Sequence, residues 1–200
     1  MVVNSSDKGL FRLDLAEIAG KVKTCTKCRL SENRTKAVPG EGDEDTDLLF
    51  VGEGPGRQED QQGRPFVGRA GNKLTDILGS VSLERSQVYI TNIVKCRPPE
   101  NRTPKSDEID SCLPYLEAQI AEINPSIIAT LGNTATKTLL DTEEGITSAR
   151  GKFYSWRGKI QVFPMFHPSY LLRNPSKEKG SPKYQTWQDI KKIKKVLRSN

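Results

Sequence analysis

The sequence predicts an α/β protein in three layers, a central and mainly parallel four-stranded sheet between two layers of helices, built as one domain from residues 1–200. Three observations predict it. Short apolar runs such as "LLFVGE", "QVYITNIV" and "PSIIATLG" alternate along the chain with segments of helical spacing, which is the order a parallel sheet with crossover helices requires. Each run ends in glycine or in a polar, proline-containing loop, so its carboxyl end opens toward solvent. The 200 residues, 34% of them hydrophobic, suffice for one core and are too few for two domains of ordinary size.

Taken in order, residues 11–23 have amphipathic helical spacing that stops at "TCTKC". The stretch "SENRTKAVPGEGDEDTD" is polar with Pro and Gly and reads as a surface loop. "LLFVGE" is the first strand, "NKLTDILGSV" a helix, and "QVYITNIV" a second strand rich in β-branched residues. In "CRPPENRTPKS" three prolines forbid regular structure, and Ser106 is placed as the N-cap of a helix running toward Ile123. "PSIIATLG" is the third strand and "NTATKTLL" a short helix. "GKFYSWRGKIQVFPMFHPSYLLRNP" supplies a small hairpin, the fourth strand and a loop, and "YQTWQDIKKIKKVL" a closing basic helix. Glu53, Asn92 and His167 are each read as lying just past a strand end, so the fold would bring them together.

The net charge of +6 favours a polyanionic partner. No run of about 18 apolar residues suggests a membrane span, and the acidic residues near the start do not fit a signal peptide. A cytoplasmic protein is expected, in which four cysteines serve metal, catalysis or packing rather than disulfides. Cys25 and Cys28 form a Cys-x-x-Cys pair, completed to four by Cys96 and Cys112. The spacing fits structural zinc and an iron–sulfur cluster equally.

The glycine-rich stretch "VGEGPGRQEDQQGRPFVGRAG" invites comparison with nucleotide-binding loops. Arg57 stands where the dinucleotide fingerprint needs its third glycine, and no Gly-Lys-Ser/Thr follows. Instead, "GEGPGRQEDQQGRPFVGRAG", "TNIVKCRPP" and "FHPSYLLRNP", in this order, resemble the family-four uracil-DNA glycosylases, the iron–sulfur branch of the uracil-DNA glycosylase superfamily. The likeness runs from about Cys25 to the last helix.

The resemblance implies a monofunctional DNA repair hydrolase that turns uracil out of the stack and cuts its N-glycosidic bond, leaving an abasic site. The glycines, Gly54 among them, would let base and sugar approach main chain. Phe66 would stack on the base, a contact worth about 1–3 kcal/mol that does not discriminate among bases. Asn92 would discriminate, matching uracil N3–H and O4 where cytosine has the reverse polarity. His167, the one histidine of the chain, would donate to uracil O2 and stabilise the departing anion.

The superfamily's best-known branch carries a water-orienting aspartate where this chain has Gly54, and a thymine-excluding tyrosine where it has Gly56. Glu53 thus has three roles open to it: holding the water, balancing positive charge on the sugar, or filling the space of thymine's methyl group. Ser169 would meet a phosphate, Tyr170, Leu171 or Leu172 would fill the vacated gap, and Arg173 would hold the backbone. The four cysteines would hold a four-iron four-sulfur cluster of structural purpose. The implied partner is uracil-containing DNA, met by a monomer in the nucleoid, and no replication-clamp signal is legible. Capture of uracil without turnover and an iron–sulfur electron carrier are the rival readings.

Overall fold

The computed structural model describes residues 14–198. Residues 11–13 of the expected first helix lie outside that range, as do the other residues before Asp14 and the last two of the chain. In order, the elements are α1 (Leu15–Thr24), α2 (Leu30–Asn33), β1 (Glu41–Gly42), β2 (Leu48–Gly52), α3 (Arg57–Gln62), α4 (Arg69–Gly79) and β3 (Tyr89–Asn92). They continue with α5 (Ser106–Ile123), β4 (Ile127–Leu131), α6 (Asn133–Leu140), α7 (Ile146–Ala149), β5 (Tyr154–Trp156), β6 (Ile160–Met165), α8 (Pro168–Arg173) and α9 (Pro182–Leu197).

The sheet has six strands in the order β1-β3-β2-β4-β6-β5. The four central strands are mutually parallel and are the four that the sequence predicts; β1 and β5 add an antiparallel strand at each edge. The expected count of four is therefore corrected to six. β1 has only two residues and lies in the stretch read as surface loop, too short to carry a period-2 signal. That stretch is not all surface either, because Ala37 and Val38 are buried and the Val38 N–H donates to the Lys95 carbonyl at 2.8 Å.

β2 and β4 are buried at every position, as central strands covered on both faces must be. Leu49 and Val51 of β2 join one core with Ile18, Leu116 and Ile120 of α1 and α5. Leu48 and Phe50 join the other with Leu74, Ile77 and Ile190 of α4 and α9. The period-2 alternation of one strand thus feeds both outer layers. Pro164 stands inside β6, where an interior proline is costly. Its carbonyl accepts from Gly151 at 3.1 Å, so its polar edge faces a side where β5 has already ended, its last pair being Tyr154 with Val162.

The helix ends are built locally. Asp14 accepts the Glu17 N–H at 2.7 Å while Glu17 Oε2 accepts the Asp14 N–H at 3.2 Å, the reciprocal box of a helix start. Ser106 is not the cap of α5: the helix begins at Ser106 with Lys105 in the cap position, and the Glu108 carboxylate accepts the Lys105 N–H at 2.8 Å. The side chain of Glu108 is wholly buried and paired with Arg102 through bonds of 2.8 and 2.6 Å.

The Arg102 guanidinium holds the Glu108 carboxyl down to about 2, against an ordinary 4.5. A carboxylate held low stabilises the fold above its unfolded value and loses that contribution as pH falls toward its folded one. Glu108→Gln is expected to cost about 1.5–3 kcal/mol at neutral pH. The deficit should shrink as pH is lowered from roughly 4.5 toward 2, as urea unfolding of both proteins across that range will read.

Candidate active site

The parallel register positions the site. Gly52 pairs with Asn92 across β2 and β3, and Leu131 with Met165 across β4 and β6, so the carboxyl ends of the four central strands lie level. Glu53, Ile93, Gly132 and Phe166 leave those ends, and a cavity of about 410 Å³ opens there. Glu53, Gly54, Phe66, Asn92 and His167 line it together, with Ser169 and Arg173 at its edge. A second cavity of about 780 Å³ adjoins it and shares Glu53, His167, Ser169 and Arg173.

Asn92 is 1% exposed, and its Oδ1 is a buried acceptor with no hydrogen-bond partner among the described residues. Leaving such an atom unpaired costs about 1–3 kcal/mol, so its retention calls for an incoming donor. The atom lies beside Gly52, where a methyl group would stand 2.4 Å from Asn92 Oδ1 and 2.6 Å from Phe66 Cζ. The expectation that the glycines serve ligand approach is therefore corrected in part. Gly52 serves the packing of Asn92 and Phe66, and a methyl at Gly71 would stand 1.8 Å from the Phe66 carbonyl oxygen.

Phe66 is buried with a positive φ of 51°, a conformation that a bulky residue rarely adopts. Arg85 holds it there, donating to the carbonyls of Phe66 and Pro65 at 3.1 and 3.0 Å while paired to Glu41 at 3.0 Å. Glu59 of α3 accepts the N–H groups of Val67 and Gly68 at 3.0 and 2.8 Å, fixing the same segment where α4 begins. Neither Arg85 nor Glu59 stood out in the sequence, since each acts on residues at a distance along the chain. The Phe66 ring lies 5.9 Å from that of His167, tilted by 37°.

His167 caps α8. Its Nδ1 accepts the Ser169 N–H at 3.1 Å and lies 2.8 Å from Ser169 Oγ, so the neutral ring carries its proton on Nε2. Burial pushes the imidazole down to about 4, Arg173 adds to the effect, and Glu59 opposes it. Thr134 donates to Glu53. Ser169 was read as a phosphate contact, yet its hydroxyl and its N–H are both turned to His167. Leu171 was read as a candidate wedge, and this is corrected: helix α8 turns it into the core at 1% exposure, and Tyr170 is the exposed neighbour at 37%. Arg173 remains exposed.

The cysteines lie apart from this cavity. Cys25, Cys28, Cys96 and Cys112 line one small enclosed space with Arg34, Lys95 and Tyr115. Among the described residues no three metal-binding side chains converge on the position of a single ion. N–H groups point at the sulfurs: Arg34 Nη1 at 3.0 Å from Cys96 Sγ, and the Lys95 N–H at 3.3 Å from Cys112 Sγ. Burial pushes the Cys112 thiol up to about 11 and the Cys96 thiol up as well, so metal binding there must displace protons. The four thiols thus share one space, and two of their sulfurs are met by N–H donors.

Comparison with known proteins accords with this geometry. The profile of the Uracil DNA glycosylase superfamily matches residues 39–191. The Type-4 uracil-DNA glycosylase of Thermotoga maritima is 49% identical over 189 residues, covering 94% of this chain and 97% of that protein. That of Sulfurisphaera tokodaii is 47% identical over 91% of this chain and 84% of its own length. A Type-5 uracil-DNA glycosylase of Pyrobaculum aerophilum is 29% identical over 70% of this chain and 68% of its own. With three motifs on one cavity and near-complete coverage by such relatives, the chain belongs to the uracil DNA glycosylase superfamily, in its type-4 branch.

Proposed function

We propose that this chain is a uracil-DNA glycosylase that binds a flipped uracil in the 410 Å³ cavity and hydrolyses its N-glycosidic bond. The observation that carries the reading is the buried, unpartnered Oδ1 of Asn92 beside the Phe66 ring. Uracil N3–H supplies the donor that this oxygen lacks, and the same amide's NH₂ meets O4. Cytosine presents an acceptor and a donor at those places, so it would leave buried groups unpaired. Phe66 stacks on the base.

His167 gives the Nε2–H to uracil O2, where negative charge gathers as the bond breaks. Because Ser169 occupies Nδ1, the ring is delivered in the tautomer that this role needs. Glu53, oriented by Thr134 at the junction of the two cavities, faces the sugar side, where we assign it to holding the attacking water. Arg173 meets the DNA backbone, and Tyr170, the exposed ring of α8 packed 5.0 Å from that of Phe166, is assigned to the gap. Residues 1–200 act as one domain and as a monomer in this reading.

Cys25, Cys28, Cys96 and Cys112 would hold a four-iron four-sulfur cluster. When bound, it supplies cross-links between the segment after α1, the loop after β3, and α5. In support stand the four thiols about one enclosed space and the N–H groups directed at them.

Release of free uracil from a defined oligonucleotide tests the activity and separates it from capture without turnover. Asn92→Asp, which cannot donate to O4, should reduce the preference for uracil over cytosine; an unchanged ratio of kcat/KM values would remove Asn92 from base reading. His167→Ala should lower kcat by about 10²–10³-fold with a smaller change in KM. Since burial pushes the imidazole down to about 4, its neutral donor form should persist above that value and be lost as pH falls through it. The rate should accordingly show no histidine step near the ordinary 6.5. Cys96→Ala should lose bound iron and acid-labile sulfide, measured chemically on the purified protein.

A further inference from the structure

Lys95 is a buried charge that the chemistry above does not use. It is 1% exposed, and Nζ donates to Thr91 Oγ1 at 2.6 Å, to the main-chain carbonyl of Asn92 at 2.8 Å and to Gln119 Oε1 at 2.7 Å. Three acceptors call for three N–H bonds, which is the ammonium rather than the amine. All three partners are neutral oxygens, so the group gives up bulk water for hydrogen bonds alone, a costly exchange for a mere space filler.

The network around it closes. Thr91 Oγ1 donates to the Pro39 carbonyl at 2.8 Å, and Gln119 Nε2 donates to the same oxygen at 2.8 Å. With Oε1 accepting from Lys95 Nζ and Nε2 donating to the Pro39 carbonyl, Gln119 has one orientation and the ammonium one seat. The main chain of Lys95 is tied as well, its N–H to Cys112 Sγ at 3.3 Å and its carbonyl to the Val38 N–H at 2.8 Å. Gln119 and Cys112 stand on the same helix, α5. One residue therefore joins the cysteine segment, the helix behind it and the peptide of Asn92.

We infer that Lys95 is a positioning residue for base recognition: its ammonium fixes the Asn92 peptide while its N–H is anchored on Cys112, so that the four-cysteine segment and the base-reading amide are held as one body. This rests on the assignment of Asn92 as the base-reading amide. The side chain of Asn92 is set by its peptide, which also pairs with Gly52. Displacement of a positioning group by about 1 Å is enough to cost about 10²-fold in rate.

The test is Lys95→Met, which keeps the length and removes the donors. Purified with its iron content measured, it should lose about 10²-fold in kcat/KM on uracil-containing DNA. The uracil-to-cytosine ratio should fall with it, and the Kd for free uracil, read by calorimetry, should rise at least about tenfold. A purely structural strap would lower the melting temperature and leave both the ratio and the Kd unchanged; that result in an iron-replete, folded variant overturns the proposal. Lys95→Gln, neutral but still a donor, should fall between the two proteins, and failure of both variants to fold also overturns it in favour of a structural role. If instead the wild-type protein fails to bind free uracil, or Asn92→Asp leaves selectivity intact, it is the underlying reading that fails.

Discussion

The parallel pairing of β2 with β3 is the constraint on which the site depends. It sets Gly52 level with Asn92, and the missing side chain at Gly52 is what lets the Asn92 amide and the Phe66 ring occupy adjoining space. An added methyl would collide with both. From this register follow the orphaned acceptor and the ring beside it, and the β4–β6 pairing brings His167 in from the end of β6. A shift of one residue would send the Asn92 side chain to the opposite face of the sheet.

Around that pairing, long-range polar contacts hold the segments that line the cavity. Arg85 and Glu59 clamp the two halves of the segment that carries Phe66, overriding the unfavourable φ of that residue. Ser169 settles the tautomer of His167, and Thr134 orients Glu53. Each group that would meet the base is thus held by a second residue before any ligand arrives. Preorganised donors of this kind lower a barrier because they need not reorganise as charge develops.

Much of this was legible in the sequence, and the reason is local. The four central strands are continuous apolar runs, Phe66, Asn92, Cys96 and His167 sit in motifs whose order resembles one family, and Cys25 and Cys28 form a Cys-x-x-Cys pair. What escaped the sequence depends on contacts between distant segments. The edge strand β1 is too short to show alternation and exists by pairing with β3, Glu41 opposite Ile90, whereas β5 is the outer arm of the small hairpin read in the sequence. Leu171 reads like its neighbours as an exposed loop residue, and only the turning of α8 against α4 and α9 sends it inward while Tyr170 points out. Lys95 follows a strand end and resembles any surface lysine until Thr91, Gln119 and the Asn92 peptide are seen around it.

The central claim is that Asn92 Oδ1 waits for the N3–H of a uracil ring. Competition of free uracil and of 3-methyluracil against excision from a uracil-containing oligonucleotide tests it most directly, because the methyl group removes that donor and leaves O2 and O4 in place. The account predicts that uracil inhibits and 3-methyluracil does not. Equal inhibition by the two would contradict it.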